Sequence, residues 1–177
     1  MTQDFFIRPA SETDLNALEA LSRRTFIEAF GALYSADNLN EFLRAYHTEA
    51  FYGQALADRD RILLVVERCD TLIGYCLCTP LDLPAPAPPA GSMELKRIYL
   101  DSATQGQGIG QALLDEALGH PAMRQAPAIF ISVFSGNPGA QRFYARNGFE
   151  QVAEYEFVVG TNRDREFIFA RHQAEHL

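Results

Sequence analysis

The sequence predicts an α/β (α+β) fold: a single domain holding one mixed, mostly antiparallel sheet of about seven strands, with about four helices. Three observations carry this. Strand-like and helix-like segments follow in the order β, α, α, β, β, β, α, β, α, β, β, which is not the strict alternation of a doubly wound fold. A strand, a helix and a strand run in succession through the middle of the chain, and such a crossover joins parallel neighbours. Turn signals separate consecutive strands on either side, so the sheet is expected to be antiparallel towards its ends. The length, 177 residues, fits one domain of ordinary size.

"DFFIRPA" reads as the first strand, closed by Pro9. "SETDLNALEALSRRTFIEAF" reads as a helix, with Ser11 as N-cap and Asp14 placing an acid in the first turn. Leu15, Leu18, Leu21, Phe26 and Phe30 recur there at helical spacing. "SADNLNEFLRAYHTEAFYGQALADR" is helical again, with a break near His47. "RILLVVERCDTLIGYCLCTP" is two strands about a turn at Cys69 and Asp70. "PLDLPAPAPPAG" holds five of the nine prolines, so it can be neither regular helix nor inner strand, and an extended loop within the domain is expected.

"SMELKRIYLD" is a strand, and "GQGIGQALLDEALGH" is a helix with Ile109, Leu113, Leu114, Ala117 and Leu118 on one apolar face. "PAIFISVF" is a strand. "NPGAQRFYARNG" is a short helix with Asn137 as N-cap, Pro138 at the first helical position and Gly148 at its C-terminal cap. "FEQVAEYEFVV" and "DREFIFAR" close the chain as an antiparallel pair.

The formal net charge of -8 argues against a nucleic-acid binder, which needs a basic face. It suits a cationic small molecule, and it equally suits plain solubility. Cys69, Cys76 and Cys78 are an odd set without regular spacing, so no disulfide framework is expected. His47, His120, His172 and His176 are scattered, so no metal site is expected. "MTQDFFIRPA" has no basic start followed by an apolar core, and no apolar run would span a bilayer. The expectation is a soluble, cytoplasmic protein with no membrane partner.

The chemistry begins at "TQGQGIGQALL", with Gly106, Gly108 and Gly110 at alternate positions before an apolar helix. A dinucleotide fingerprint needs a glycine or alanine where Gln111 stands, and a triphosphate loop needs Gly-Lys, whereas Lys96 is the only lysine. Glycines at a strand-to-helix turn nevertheless leave N–H groups open beside the positive end of a helix. A pyrophosphate cradle and a ligand-free turn both stay open on this stretch alone.

The spacing Gln105-x-x-Gly108-x-Gly110 resembles the acyl-CoA pyrophosphate loop of the GCN5-related N-acetyltransferases. "NPGAQRFYARNGF", read as Asn-x-x-Ala-x-x-Phe-Tyr-x-x-x-Gly-Phe, resembles that family's other signature, at the expected distance downstream. "SRRTFIEAF" and "MELKRIYL" are similar to the PaiA-type subgroup, whose members acetylate polyamines such as spermidine and spermine. Lys96 and Phe134 depart from that subgroup, which has an acid and a tryptophan there.

The resemblance implies one N-acetyltransferase domain over residues 1–177, with acceptor-side helices in 1–58 and an acetyl-CoA-binding core in 92–149. It implies a splayed pair of parallel strands, "LKRIYLD" and "IFISVF", that admits the pantetheine arm of the cofactor. The cofactor-binding set it implies is Ile98, Tyr99, Leu100, Gln105, Gly106, Gln107, Gly108, Ile109, Gly110, Gln111, Asn137, Ala140, Phe143 and Arg146, with Arg142 a further phosphate candidate. An N–H near Ile98 would polarise the thioester carbonyl. Asn137 can serve the arm, the helix cap, or both.

Tyr144 is expected to protonate the leaving thiolate, the alternative being an aromatic packed beside Phe143. A lysine-like amine is neutral in only about one molecule in a thousand at pH 7, so a base is needed. Glu94 is the candidate, the alternative being a surface ion pair with Lys96 at i+2. Glu28, Phe30 and Tyr34, with Glu41, are expected around the amine; residues 1–58 carry nine acids and four arginines, which suits a cation. The reading is acetyl-CoA-dependent transfer to a polyamine or similar amine in a ternary complex. An amino acid, an amino sugar, a protein N-terminus, or a non-catalytic acetyl-CoA-binding regulator are its alternatives. The resemblance also admits a homodimer.

Overall fold

A computed structural model describes residues 4–173; His176 lies outside them. The chain runs β1 (Phe6–Pro9), α1 (Leu15–Phe30), α2 (Ala36–Tyr46), α3 (Glu49–Ala57), β2 (Ile62–Arg68), β3 (Thr71–Pro80), β4 (Met93–Leu100), α4 (Ile109–Gly119), α5 (Pro121–Gln125), β5 (Ala128–Phe134), α6 (Pro138–Arg146), β6 (Glu150–Val159) and β7 (Asn162–His172). The seven strands form one sheet in the order β1-β2-β3-β4-β5-β7-β6. Every neighbouring pair is antiparallel except β4 and β5. No helix among the described residues is long and apolar enough to cross a membrane.

Among the described residues the α-helices number six, against about four expected. The stretch 35–59 divides at His47, and Thr48 starts α3 by accepting from the Phe51 N–H at 3.1 Å. Helix α5 is only five residues long, too short to show a helical period; it is set by Pro121 behind a His120 cap. Ahead of α1 comes a turn of 3₁₀-helix, Glu12–Asp14. There Asp14 reaches back to accept from the Ser11 N–H at 2.7 Å and is held by Arg8 through two bonds. Helix α6 ends as a Schellman motif, with Gly148 at φ 82°, its N–H on the Ala145 carbonyl and the Phe149 N–H on that of Tyr144.

The sheet carries a core on each face. On one side α4, α5 and α6 cover Cys76, Leu95, Ile129 and Ile131, and on the other α1 and α3 cover Val65, Tyr75 and Leu77. The proline-rich loop packs Leu81, Leu83 and Ala85 over Phe130, Ile168 and Ala170. The β3–β4 register slips at Lys96: Leu95 pairs with Cys78, but Arg97 pairs with Leu77. This bulge inverts the alternation along β4. Met93, Leu95, Ile98 and Leu100 therefore share the α4 face, while Tyr99 packs with the opposite core.

Candidate active site

Strands β4 and β5 pair only at Met93 with Ile129 and Glu94 with Phe130. Beyond that point residues 95–100 and 131–134 diverge, and the backbone groups they turn towards each other lie outside any ladder. The gap is a slot of about 100 Å³ edged by Lys96, Ile98 and Tyr99 on one strand and by Ser132 and Phe134 on the other. It joins two larger cavities, one on each side of the sheet.

On the α4 side lies a cleft of about 600 Å³, lined by Ile98, Leu100, the glycine loop and the start of α6. Gly106 and Gly108 have φ of 76° and 80°, a left-handed conformation that favours glycine. A Cβ at either would meet nothing within 4 Å, so the backbone of this loop faces open space. Gly110 differs: its φ is ordinary, and a Cβ there would sit 3.4 Å from Leu100, so it serves the packing of α4 on β4. No side chain caps α4, whose first N–H groups are left available at a positive helix end.

Gln105, Gln111, Asn137, Ala140, Phe143 and Arg146 also line this cleft. Three residues of the expected set do not reach it with their side chains. Tyr99 turns to the opposite face of the sheet, because the bulge at Lys96 inverts the alternation of β4. Ile109 is wholly buried in the core, and Gln107 is held away by Arg68 and by the Ala103 carbonyl. Arg142 is exposed and lies off the cleft. Asn137 Oδ1 accepts from the Ala140 N–H at 3.0 Å, so it is an N-cap at the mouth of the slot.

Tyr144 stands where cleft and slot meet. Its ring packs edge-on against Phe143 and Phe149, at 5.1 and 5.7 Å between centroids. Burial first, then the neighbouring Cys76 and Tyr99, push its hydroxyl far above the ordinary tyrosine range. The phenol is thus a held proton rather than a phenolate. Tyr99, on the opposite face of β4, is pushed up by burial in the same direction.

Across the sheet lies a cavity of about 370 Å³, roofed by Phe26, Phe30, Tyr34 and Phe42 and floored by β4, β5, β7 and β6. Two carboxylates converge on it, Glu94 from β4 and Glu166 from β7. Glu94 is 3% exposed; it accepts from the Asp82 N–H at 3.0 Å and lies 3.5 Å from Lys96 Nζ. Burial raises its pKa and outweighs the lowering by Lys96. Glu166 accepts from the Ser132 hydroxyl, which also bonds Tyr155 at 2.9 Å, and its pKa too is raised by burial. Tyr34 donates to Asp164, two residues before Glu166.

Phe30 and Tyr34 line this cavity, whereas Glu28 lines an adjoining cleft of about 580 Å³ and Glu41 is exposed and lines neither. Sequence reasoning missed Glu166, Ser132 and Tyr155. Their one signal is polarity within strands, which reads equally well as a solvent face.

A sheet opened between two parallel strands, with a backbone cradle on one side and carboxylates on the other, defines a two-substrate group-transfer site. The sequence profile described as "Acetyltransferase (GNAT) family" matches residues 21–149, and the chain belongs to that family. It is an acyltransferase, and acetyl-CoA is the family's acyl donor. An uncharacterized N-acetyltransferase in the pepI 3' region of Lactobacillus delbrueckii subsp. lactis is 27% identical over 91% of this chain and 93% of its own length. The spermine/spermidine N(1)-acetyltransferase of Bacillus subtilis is 34% identical over 68 residues, 38% of this chain and 45% of that protein. In fold, the chain is similar to the PaiA N-acetyltransferase of Thermoplasma acidophilum, solved in complex with coenzyme A. That likeness has a TM-score of 0.77 and 22% identity, over 97% of this chain and all of that one.

Proposed function

We propose that this protein transfers an acetyl group from acetyl-CoA to a primary amine of a polyamine or a similar small cation, directly and in a ternary complex. One observation carries the amine: two carboxylates, the buried Glu94 and the part-buried Glu166, converge on a cavity that shares the walls of the gap between β4 and β5 with the cofactor cleft. A cationic guest offsets the cost of burying such charges. The net charge of -8 and the partial likeness to a spermine/spermidine acetyltransferase support the same reading.

The residues present fit the cofactor. Open, left-handed glycines and an uncapped helix start suit a pyrophosphate, and the free edges of a splayed strand pair suit an extended polar arm. The backbone of residues 105–111 would hold the pyrophosphate, with Ile98, Leu100 and Asn137 along the arm and Arg146 at the outer phosphates. Bound there, acetyl-CoA supplies an activated acetyl thioester. An N–H near Ile98 stabilises negative charge on the thioester carbonyl. The Tyr144 hydroxyl keeps its proton for the departing sulfur. Phe30, Tyr34 and Phe134 wall the acceptor side and exclude water.

The test is release of free thiol from acetyl-CoA across polyamines, amino acids, amino sugars and peptides. Spermidine or spermine is expected to give the highest kcat/KM. A higher value with another class would replace the polyamine. No release, together with a thermal shift on adding CoA, would make the protein a non-catalytic binder.

A further inference from the structure

We infer that Glu166 on β7, and not Glu94 on β4, takes the proton from the reacting amine, with Ser132 positioning its carboxylate. The inference rests on the acetyltransferase reading and concerns the same site.

Register places the two carboxylates at different heights along the slot. Glu94 lies opposite Phe130, in the last pair before the strands diverge, and so sits at the root of the slot. Glu166 lies opposite Phe134, four residues further along β5, level with the opened part. The hydroxyl it accepts from, on Ser132, is itself a wall of the slot.

The two also differ in partners. Glu94 is paired with Lys96, which also lies 3.7 Å from Asp82, and it receives the Asp82 N–H. Glu94 thus already has a backbone donor and a counter-ion, although burial still raises its pKa. Glu166 is part-buried and, among the described residues, has no ion-pair partner and only the Ser132 hydroxyl as donor. A buried carboxylate without a counter-ion is costly to keep charged, and an incoming ammonium group relieves that cost.

Other charged and titratable groups facing this cavity are Tyr155 on β6, Lys96, Arg97 and Tyr99 on β4, Tyr34 and Tyr46 from the helical roof, and Asp82 from the proline loop, with Asp164 on β7 behind Tyr34, whose hydroxyl it accepts from. Arg97 is spent on the Tyr46 carbonyl and the Tyr52 hydroxyl, with its guanidinium 4.5 Å over Phe51. Burial first, and then the negative charge of Asp164, raise the pKa of Glu166 against the lowering by the Ser132 hydroxyl.

The step is a proton transfer: an N–H bond of the substrate ammonium breaks, an O–H bond forms on Glu166, and the neutral amine keeps the electron pair that attacks the thioester. Glu94, already paired, forms the far end of the acceptor cavity.

The experiment compares wild type, Glu166→Gln, Glu166→Asp and Glu94→Gln in the thiol-release assay with acetyl-CoA and spermidine, from pH 5.5 to about 10. Glu166→Gln is expected to lower kcat by about 100-fold at pH 7. It should also move the acid limb of the profile from the carboxylate's range up to the amine's own pKa, about 10. Glu166→Asp should restore part of that loss and bring the acid limb back. Glu94→Gln should raise KM and keep the acid limb. An equal thermal shift by CoA in all four shows that the cofactor cleft is intact. An acid limb that keeps its wild-type position in Glu166→Gln, or moves up to the amine's pKa in Glu94→Gln, overturns the assignment. A wild type inactive on spermidine and on every other amine refutes the acetyltransferase reading itself, a separate result.

Discussion

At the scale of the residue, position relative to one bulge decides what each side chain of β4 can do. Lys96 is the extra residue, so Ile98 and Leu100 turn to the cofactor cleft while Tyr99 turns to the acceptor side. Tyr144 gives the sharpest test at this scale. Tyr144→Phe keeps the ring between Phe143 and Phe149 and removes only the hydroxyl. Steady-state kinetics should show kcat reduced by about 100-fold, with CoA affinity by titration changed less than about twofold. Unchanged kcat would reduce Tyr144 to packing. Tyr144 was legible because it sits in a dense local motif. The place of Glu166 at the cavity was not, because the hydroxyl that holds it lies 34 positions away on a neighbouring strand. Glu28 and Glu41 were placed near the amine from their helix positions; Glu28 lines the adjoining cleft, which shares Ile98, Tyr99 and Phe134 with the slot, whereas only tertiary packing could show that Glu41 is exposed and lines neither cavity.

At the scale of the element, the start of α4 is the part whose chemistry was most readable. A glycine at φ 80° before an uncapped helix is local information, and the spacing of the glycines records it. Gly108→Asp and Gly108→Asn separate backbone from charge, since both side chains are of one size and tolerate left-handed φ. Asp places a negative charge where an anion is to bind; Asn does not. The thermal shift by CoA should disappear in Gly108→Asp and be partly retained in Gly108→Asn, with affinities at least about tenfold apart. Equal binding in both would mean that the loop does not hold the pyrophosphate. The splay of β4 from β5 was expected from the family resemblance and not from the residues themselves. Both strands were readable, but where a ladder stops depends on which residues face each other across it.

At the scale of the whole molecule, the sheet order joins two kinds of information. The β6–β7 hairpin is local and was legible. That β7 rather than β6 borders β5, which is what brings Glu166 to the site, is a long-range choice with no local signature. The same interlocking ties the acceptor side to overall stability through His47. It closes α2 and is 1% exposed, its ring 4.9 Å from Phe26 and 5.7 Å from Phe42. Its Nδ1 has no partner, and Arg97 and Arg23 add positive charge nearby. Burial, then those arginines, lower its pKa from the ordinary 6.5 to about 2. The unfolded chain therefore binds a proton below pH 6.5 that the folded chain refuses. Stability from this group is complete above pH 6.5 and declines as pH falls towards 2, by about 1.4 kcal/mol per unit. At pH 5 that is about 2 kcal/mol, enough to move the melting temperature by several degrees in a domain of this size. His47→Leu, which leaves an apolar side chain among the same aromatic rings, should flatten Tm between pH 5 and about 7 relative to wild type. An equally steep decline in His47→Leu would assign the acid sensitivity to other groups. Because Phe26 and Phe42 also roof the acceptor cavity, the same acid should loosen that roof before the glycine cradle. Hydrogen exchange at pH 5 is then expected to rise first in α2 and the end of α1, with α4 still protected.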